Sequence, residues 1–266
     1  MTITESNPYA RIKAYETQEF ERLTKHLAGL DAAGWTEQSY CSDWQVYQVA
    51  SHIGSGSRIG GLRLRAWLGK GEPVARETMQ QIWGFFDALQ PSEMFAAYSD
   101  AVREYLEVET TTPDEAGTQE VEGFAGKRPL HVYQLARTWE LACHSWDVYV
   151  ARDRSALLDP AAVALLSAGL HQINVPLDRE RASSLTATPI GFKLTDSGAS
   201  YTLDPTAERP RLQQGLADNA PLVIEGPAQE IIRLVSGRHF MPGARSQLKL
   251  AKGSPQDLSA LRRAFR

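Results

Sequence analysis

Glu140 and His144 stand four residues apart in the stretch Arg137-Thr-Trp-Glu-Leu-Ala-Cys-His-Ser-Trp-Asp147. On a helix, residues i and i+4 lie one above the other on one face, so this carboxylate and imidazole can grip one metal ion. Asp147 follows seven residues after Glu140 and falls on that face too. The same spacing also suits a buried Glu–His hydrogen bond or a solvated helical pair, and a short motif alone does not choose among them. A third donor elsewhere in the chain would.

The spacing has meaning only on a helix, and the sequence supplies one. Pro129 marks a first turn, and the flanking Trp139, Leu141, Ala142, Trp146 and Val148 suit a helix packed on most sides, running to about residue 150. Upstream, Asn7-Pro8 starts a helix over about 9–31 with Ile12, Tyr15, Phe20, Leu23 and Leu27 in helical rhythm. Ser42 or Asp43 caps a second over about 44–68, in which Gly60-Gly61 allows a kink or close packing. A segment over 78–89 and a helix over 91–108 follow, then an acidic loop over 110–126. Four substantial helices joined by short or moderate connections predict a four-helix bundle over residues 1–155.

Beyond it the pattern changes. Asp159-Pro160 starts a helix, 190–195, 199–203 and 222–225 have strand character, and Asp196-Ser-Gly198 signals a hairpin turn. Pro227 and Pro255 start further helices, with 246–251 a last strand. Residues 156–266 therefore read as a small α+β domain, and the chain as α+β overall.

Six histidines compete for the third position. His52 shares its helical stripe with Val49, which faces the bundle core, and a core histidine opposite a Glu–His pair is how bundle metal sites are built. A hydrogen-bonded core histidine is the alternative. His26, beside Lys25, is expected at the surface. His131 lies half a turn out of phase with Glu140, and His171 and His239 fall in the other half.

The segment Cys41-Ser-Asp-Trp44-Gln-Val46-Tyr-Gln-Val49-Ala-Ser-His52, followed by the stretch around Glu140, resembles the DinB-like metalloenzymes of the mycothiol-dependent maleylpyruvate isomerase type. Val223-Ile-Glu-Gly226-Pro-Ala with Ile231-Ile-Arg-Leu-Val-Ser-Gly237-Arg238 resembles the sterol-carrier-like C-terminal domain of the same family. The resemblance implies a divalent metal, usually zinc, held by His52, Glu140 and His144. It implies mycothiol or a related thiol as cosubstrate, and a catalytic Arg238 reaching an active-site cleft. Arg238 can bind a carboxylate bidentately, or serve as a charge on the last carbonyls of its helix. Asp147 is open to two readings, a partner for His144 or an acceptor for a neighbouring helix.

Two imidazoles and a carboxylate leave a coordination position open, the mark of a catalytic site. A thiol there loses its proton, and the thiolate is the nucleophile. Attack on an electrophilic carbon gives S-transfer if the adduct persists and cis–trans isomerisation if it reverses after bond rotation. A hydrolase using metal-bound water, and a non-enzymatic module binding a small molecule, are the alternatives. Cys41 and Cys143 are expected to be small packing residues, as are Trp35, Trp44, Tyr133, Trp139 and Trp146.

The formal net charge of −4 and the absence of any basic run argue against nucleic acid as a partner. No apolar run approaches the roughly 20 residues of a membrane span. Two distant cysteines and an N-terminus without a signal-peptide pattern lead to the expectation of a cytoplasmic protein, monomeric or homodimeric, whose partners are a thiol and an electrophile.

Overall fold

Proline sits in the first turn of four helices, where its fixed φ suits the helix and its missing N–H goes unneeded. A computed structural model describes residues 7–123, 126–208, 210–238 and 246–265. The chain divides into two compact units, Met1–Ala156 and Leu157–Arg266. Among the described residues no helix is long and apolar enough to cross a membrane.

The first unit contains α1 (Pro8–Ala28), the single turn α2 (Ala32–Trp35), α3 (Val46–Trp67), α4 (Arg76–Asp87), α5 (Pro91–Thr110) and α6 (Leu130–Arg152). The long helices close a ring: α1 meets α5 and α6, and α3 meets α5 and α6, while α4 lies against α3. Phe20, Leu23, Leu27, Leu64, Met94, Tyr98, Tyr105 and Trp146 are fully buried between them. Helix α3 begins at Val46 rather than 44. Gln45 is its N-cap in a reciprocal capping box with Gln48, and the preceding residues form a turn instead. Gly60-Gly61 does not break the helix. A Cβ on Gly61 would lie 3.5 Å from the Tyr105 backbone, so the pair serves close packing against α5. Gly54 is tighter, since a Cβ there would meet the Phe86 ring at 2.7 Å.

The acidic loop expected over 110–126 is more ordered than its composition suggests, within the described residues. A 3-10 turn (Asp114–Thr118) leads into β1 (Glu120–Gly123), paired antiparallel with β2 (Gly126–Pro129). Each strand has four residues and Val121 alone is buried, packed with Tyr9, Leu64, Val108, Leu130 and Tyr133. So short a strand shows no readable alternation.

A polar network crosses the bundle core. Glu16 and Glu109 are both fully buried. The Tyr105 hydroxyl lies 2.6 Å from Glu16 Oε2 and 2.8 Å from Glu109 Oε1. Thr138 donates to Glu16, and Gln134 donates to both Glu109 and Tyr105. Burial raises both carboxyl pKa values; the neighbouring Glu16 pushes Glu109 further up, whereas Arg137 opposes the rise at Glu16. The pair thus holds on to a proton more strongly than free carboxyls do, and Arg137 offsets the charge of Glu16.

In the second unit, α7 (Pro160–Gly169) and α8 (Arg179–Ser183) precede a five-stranded sheet. Its strands are β3 (Ile190–Leu194), β4 (Ser200–Leu203), β5 (Leu212–Gln214), β6 (Leu222–Gly226) and β7 (Lys249–Lys252), in the order β5-β4-β3-β6-β7. The central β3–β6 pair is parallel and the others antiparallel. Helix α9 (Ala228–Val235) follows β6, and α10 (Pro255–Ala264) follows β7. Strand β5 escapes sequence reading because two of its three residues are exposed. The strand expected over 246–251 starts at 249. Ser246 and the Gln247 N–H are bonded to the Glu230 carboxylate instead of to a ladder.

Candidate metal centre

Helix α6 carries Glu140, His144 and Asp147 one turn after another, and α3 carries His52 between buried Val49 and Ile53. The helices bring three donors together. Glu140 Oε2 lies 3.3 Å from His52 Nε2 and 3.4 Å from His144 Nε2, and one ligand atom from each of the three residues lies within 4.8 Å of the other two. The imidazole centroids are 4.6 Å apart. The His144 side chain is 12% exposed, against 41% for His52 and 51% for Glu140, so the cluster is closed behind His144 and open beside the other two.

Behind His144 stands Asp147, fully buried, with Oδ2 2.9 Å from His144 Nδ1. That carboxylate oxygen also accepts the Cys41 thiol at 3.2 Å. Cys41 belongs to a closed loop. The Tyr40 N–H donates to the Asp147 carbonyl, Gln38 pairs with Gln45, and Gln38 Nε2 donates to the carbonyls of Cys41 and Trp44. The loop holds the half-buried Trp44 ring over both imidazoles, with centroids 5.1 Å from His52 and 5.7 Å from His144.

A cation between Glu140 Oε2 and the two imidazole nitrogens would satisfy all three facing groups. In the tautomer that donates Nδ1–H to the Asp147 carboxylate, a neutral His144 ring would present a bare Nε2 to such an ion beside Glu140. Ligand bonds of about 2.1 Å at tetrahedral angles place donors about 3.4 Å apart, so the observed separations fit one small divalent ion. Burial by itself would raise the Glu140 pKa. The hydrogen bonds and charges of His144 and His52 outweigh it and hold the carboxyl well below the usual carboxylate range.

Other histidines lie elsewhere. His131 Nδ1 bonds the Gly117 carbonyl, and His171 contacts Gln172 in the second unit. His26 is not a surface residue as expected; it is half-buried edge-to-face on Tyr149, at 5.1 Å. His239 lies outside the described residues. Arg238 follows α9 in a Schellman turn. The Gly237 N–H bonds Leu234, the Arg238 N–H bonds Arg233, and Gly237 has φ +81°, which favours glycine. Arg238 Nη1 donates to the Ser236 carbonyl.

Two residues at the centre had been read as packing residues. Trp44 is tilted against the imidazoles rather than buried in the core, and Cys41 is a partner of Asp147 rather than a small apolar filler. Both precede the helix start, where no periodicity operates; their place just upstream of a core-facing histidine was the available signal.

The fold matches the crystal structure of the mycothiol-dependent maleylpyruvate isomerase with a TM-score of 0.65 at 16% identity, over 94% of this chain and 96% of that one. The crystal structure of a histidine-to-alanine mutant of that enzyme matches with a TM-score of 0.64 at 15% identity, over the same shares. At such identities the likeness is one of fold. No curated protein matches the chain by sequence. The family profile for the mycothiol maleylpyruvate isomerase N-terminal domain matches residues 17–149, a span that holds all three converging donors, and the chain belongs to that family.

Proposed function

We propose that the chain is a thiol-dependent metalloenzyme, with His52, Glu140 and His144 as ligands of one divalent ion, zinc by donor type, and a mycothiol-like thiol as cosubstrate. The carrying observation is the convergence of His52 Nε2, Glu140 Oε2 and His144 Nε2 from two helices. A divalent ion bound there supplies the positive charge that keeps a thiol as thiolate at neutral pH.

The chain's own residues do the rest. Asp147 holds the His144 proton on Nδ1, so Nε2 keeps its lone pair toward the centre. Trp44 covers the faces of both imidazoles and limits water on that side. The exposed flank beside His52 and Glu140 leaves room for two reactants. Addition of sulfur to a conjugated double bond, rotation about the new single bond and expulsion of the same sulfur gives cis–trans isomerisation with the thiol returned. Retention of the sulfur gives S-transfer. Arg238 is proposed to bind a carboxylate of substrate or cosubstrate, supported by the turn that fixes its backbone. The need for a reduced thiol supports work in the cytoplasm, as a monomer or homodimer.

Metal analysis of the purified chain and turnover of activated alkenes with and without added mycothiol test the reading. About one equivalent of zinc and turnover that requires thiol are expected. Turnover that proceeds in water without thiol would identify a hydrolase instead.

A further inference from the structure

Beside His52, between α3 and α4, lies a cavity of about 400 Å³, within the size range of small-molecule sites. Four of its lining residues are aromatic, Trp44, Tyr47, Trp83 and Phe86, set among polar ones. Phe86 is fully buried, whereas Trp83, in the apolar run Ile82–Phe86 of α4, is 45% exposed. The polar lining residues are Gln48, His52, Ser55, Ser51, whose hydroxyl lies 3.4 Å from Asp87 Oδ1, and Asp87 itself.

The charge of the lining is one-sided. Asp87 is the only Asp, Glu, Lys or Arg among the described residues that line the cavity. The neighbouring cation, Arg58, sits 6.0 Å from the Phe86 ring centroid and is paired with Glu104. A carboxylate entering this cavity would meet Asp87 with like charge. A flat ring would find several ring faces, and a cationic or N–H-bearing head group would find the Asp87 carboxylate.

We infer that this cavity binds an aromatic ring carrying a cationic or hydrogen-bond-donating head group, as the non-reacting end of the electrophile. The role of electrophile subsite rests on the proposed function; the binding preference rests on the cavity alone. The cavity opens onto His52, so a ligand seated there keeps its far end next to the candidate metal centre.

Three rings of equal size and different charge test it: benzamidine, benzamide and benzoate, titrated calorimetrically into the full chain freed of metal by a chelator, so that no open coordination position attracts the carboxylate. Benzamidine is expected to bind about fivefold or more tighter than benzoate, with benzamide between. Asp87→Asn should bring benzamidine to the level of benzamide, and Trp83→Ala should weaken both by about tenfold. Both side chains are exposed, so the variants should fold, which circular dichroism verifies. Benzoate binding tightest, or affinities unmoved by both substitutions, overturns the cavity's preference. In the thiol-dependent assay, benzamidine should compete with the electrophile; competition with the thiol instead overturns the subsite role. Absence of thiol-dependent turnover counts against the proposed function, while the affinity order still decides the cavity.

Discussion

Asp147 Oδ2 lies 2.9 Å from His144 Nδ1, at a position with no solvent exposure. This contact fixes which nitrogen of His144 faces Glu140. Asp147→Asn keeps the shape but removes the charge, and it should lower zinc affinity about 10- to 100-fold. Competition with a chromophoric chelator measures it. Unchanged affinity would show that the carboxylate does not orient the ring.

Metal removal should destabilise the chain, because the donors sit on two helices and the unfolded chain does not bring them together. At a thousandfold excess of zinc over its dissociation constant the linkage is worth about 4 kcal/mol. Chelation should therefore lower Tm in the wild type. His144→Ala and His52→Ala should each abolish most of that zinc-dependent difference, and a full difference in either variant would remove that residue from the ligand set.

Buried Glu109 makes stability depend on alkalinity. Its pKa is raised in the folded state, by burial first and by Glu16 second. A raised folded pKa contributes stability that is complete below the unfolded value of about 4.3 and is lost as pH rises through the folded value. Urea unfolding at successive pH values above about 4.3 should show this contribution to wild-type stability falling, and Glu109→Gln should flatten that fall. Parallel slopes for the two proteins would place the proton elsewhere in the network.

Two glycines of α3 should respond in opposite directions. Gly54→Ala drives a methyl to 2.7 Å from Phe86 and should destabilise by about 1–3 kcal/mol. At Gly61 the contacts begin at 3.5 Å, so alanine fits and should stabilise the helix by roughly 0.5–1 kcal/mol. Chemical denaturation of both variants checks the pair; equal effects would mean that α4 yields readily at Phe86.

If Arg238 binds a carboxylate, Arg238→Ala should raise KM about tenfold or more with a smaller change in kcat, and Arg238→Lys should restore it only in part. Steady-state kinetics read the split. A change in kcat alone would argue against a binding role.

What was legible in the sequence follows from how far each force reaches along the chain. Glu140, His144 and His52 could be picked out because helical periodicity tells which side chains share a face, and the long helices have strong apolar rhythms. Helix starts were readable at Pro8, Pro91 and Pro160 for the same local reason. The hairpin of Glu120–Gly123 with Gly126–Pro129 was not, since one buried valine carries it. Nor was the place of Trp44 and Cys41, which depends on hydrogen bonds from Gln38 and on a backbone contact between Tyr40 and Asp147, 107 positions apart in sequence. Arg238 was found through a resemblance, and its backbone geometry through Gly237, whose positive φ a sequence does not print.

The loop that carries Cys41 and Trp44 touches the same histidine environment twice, at its buried edge through Asp147 and at its ring face through the indole. His144 is thereby immobilised in a donor's orientation during folding itself. If His144 is a metal ligand as proposed, its ordering precedes the ion, and binding should be fast and nearly free of rearrangement on this side. Adaptation to different ions or reactants is left to the freer His52 and Glu140. The candidate site is thus half anvil and half jaw, with its rigidity inherited from a segment outside the proposed ligand set.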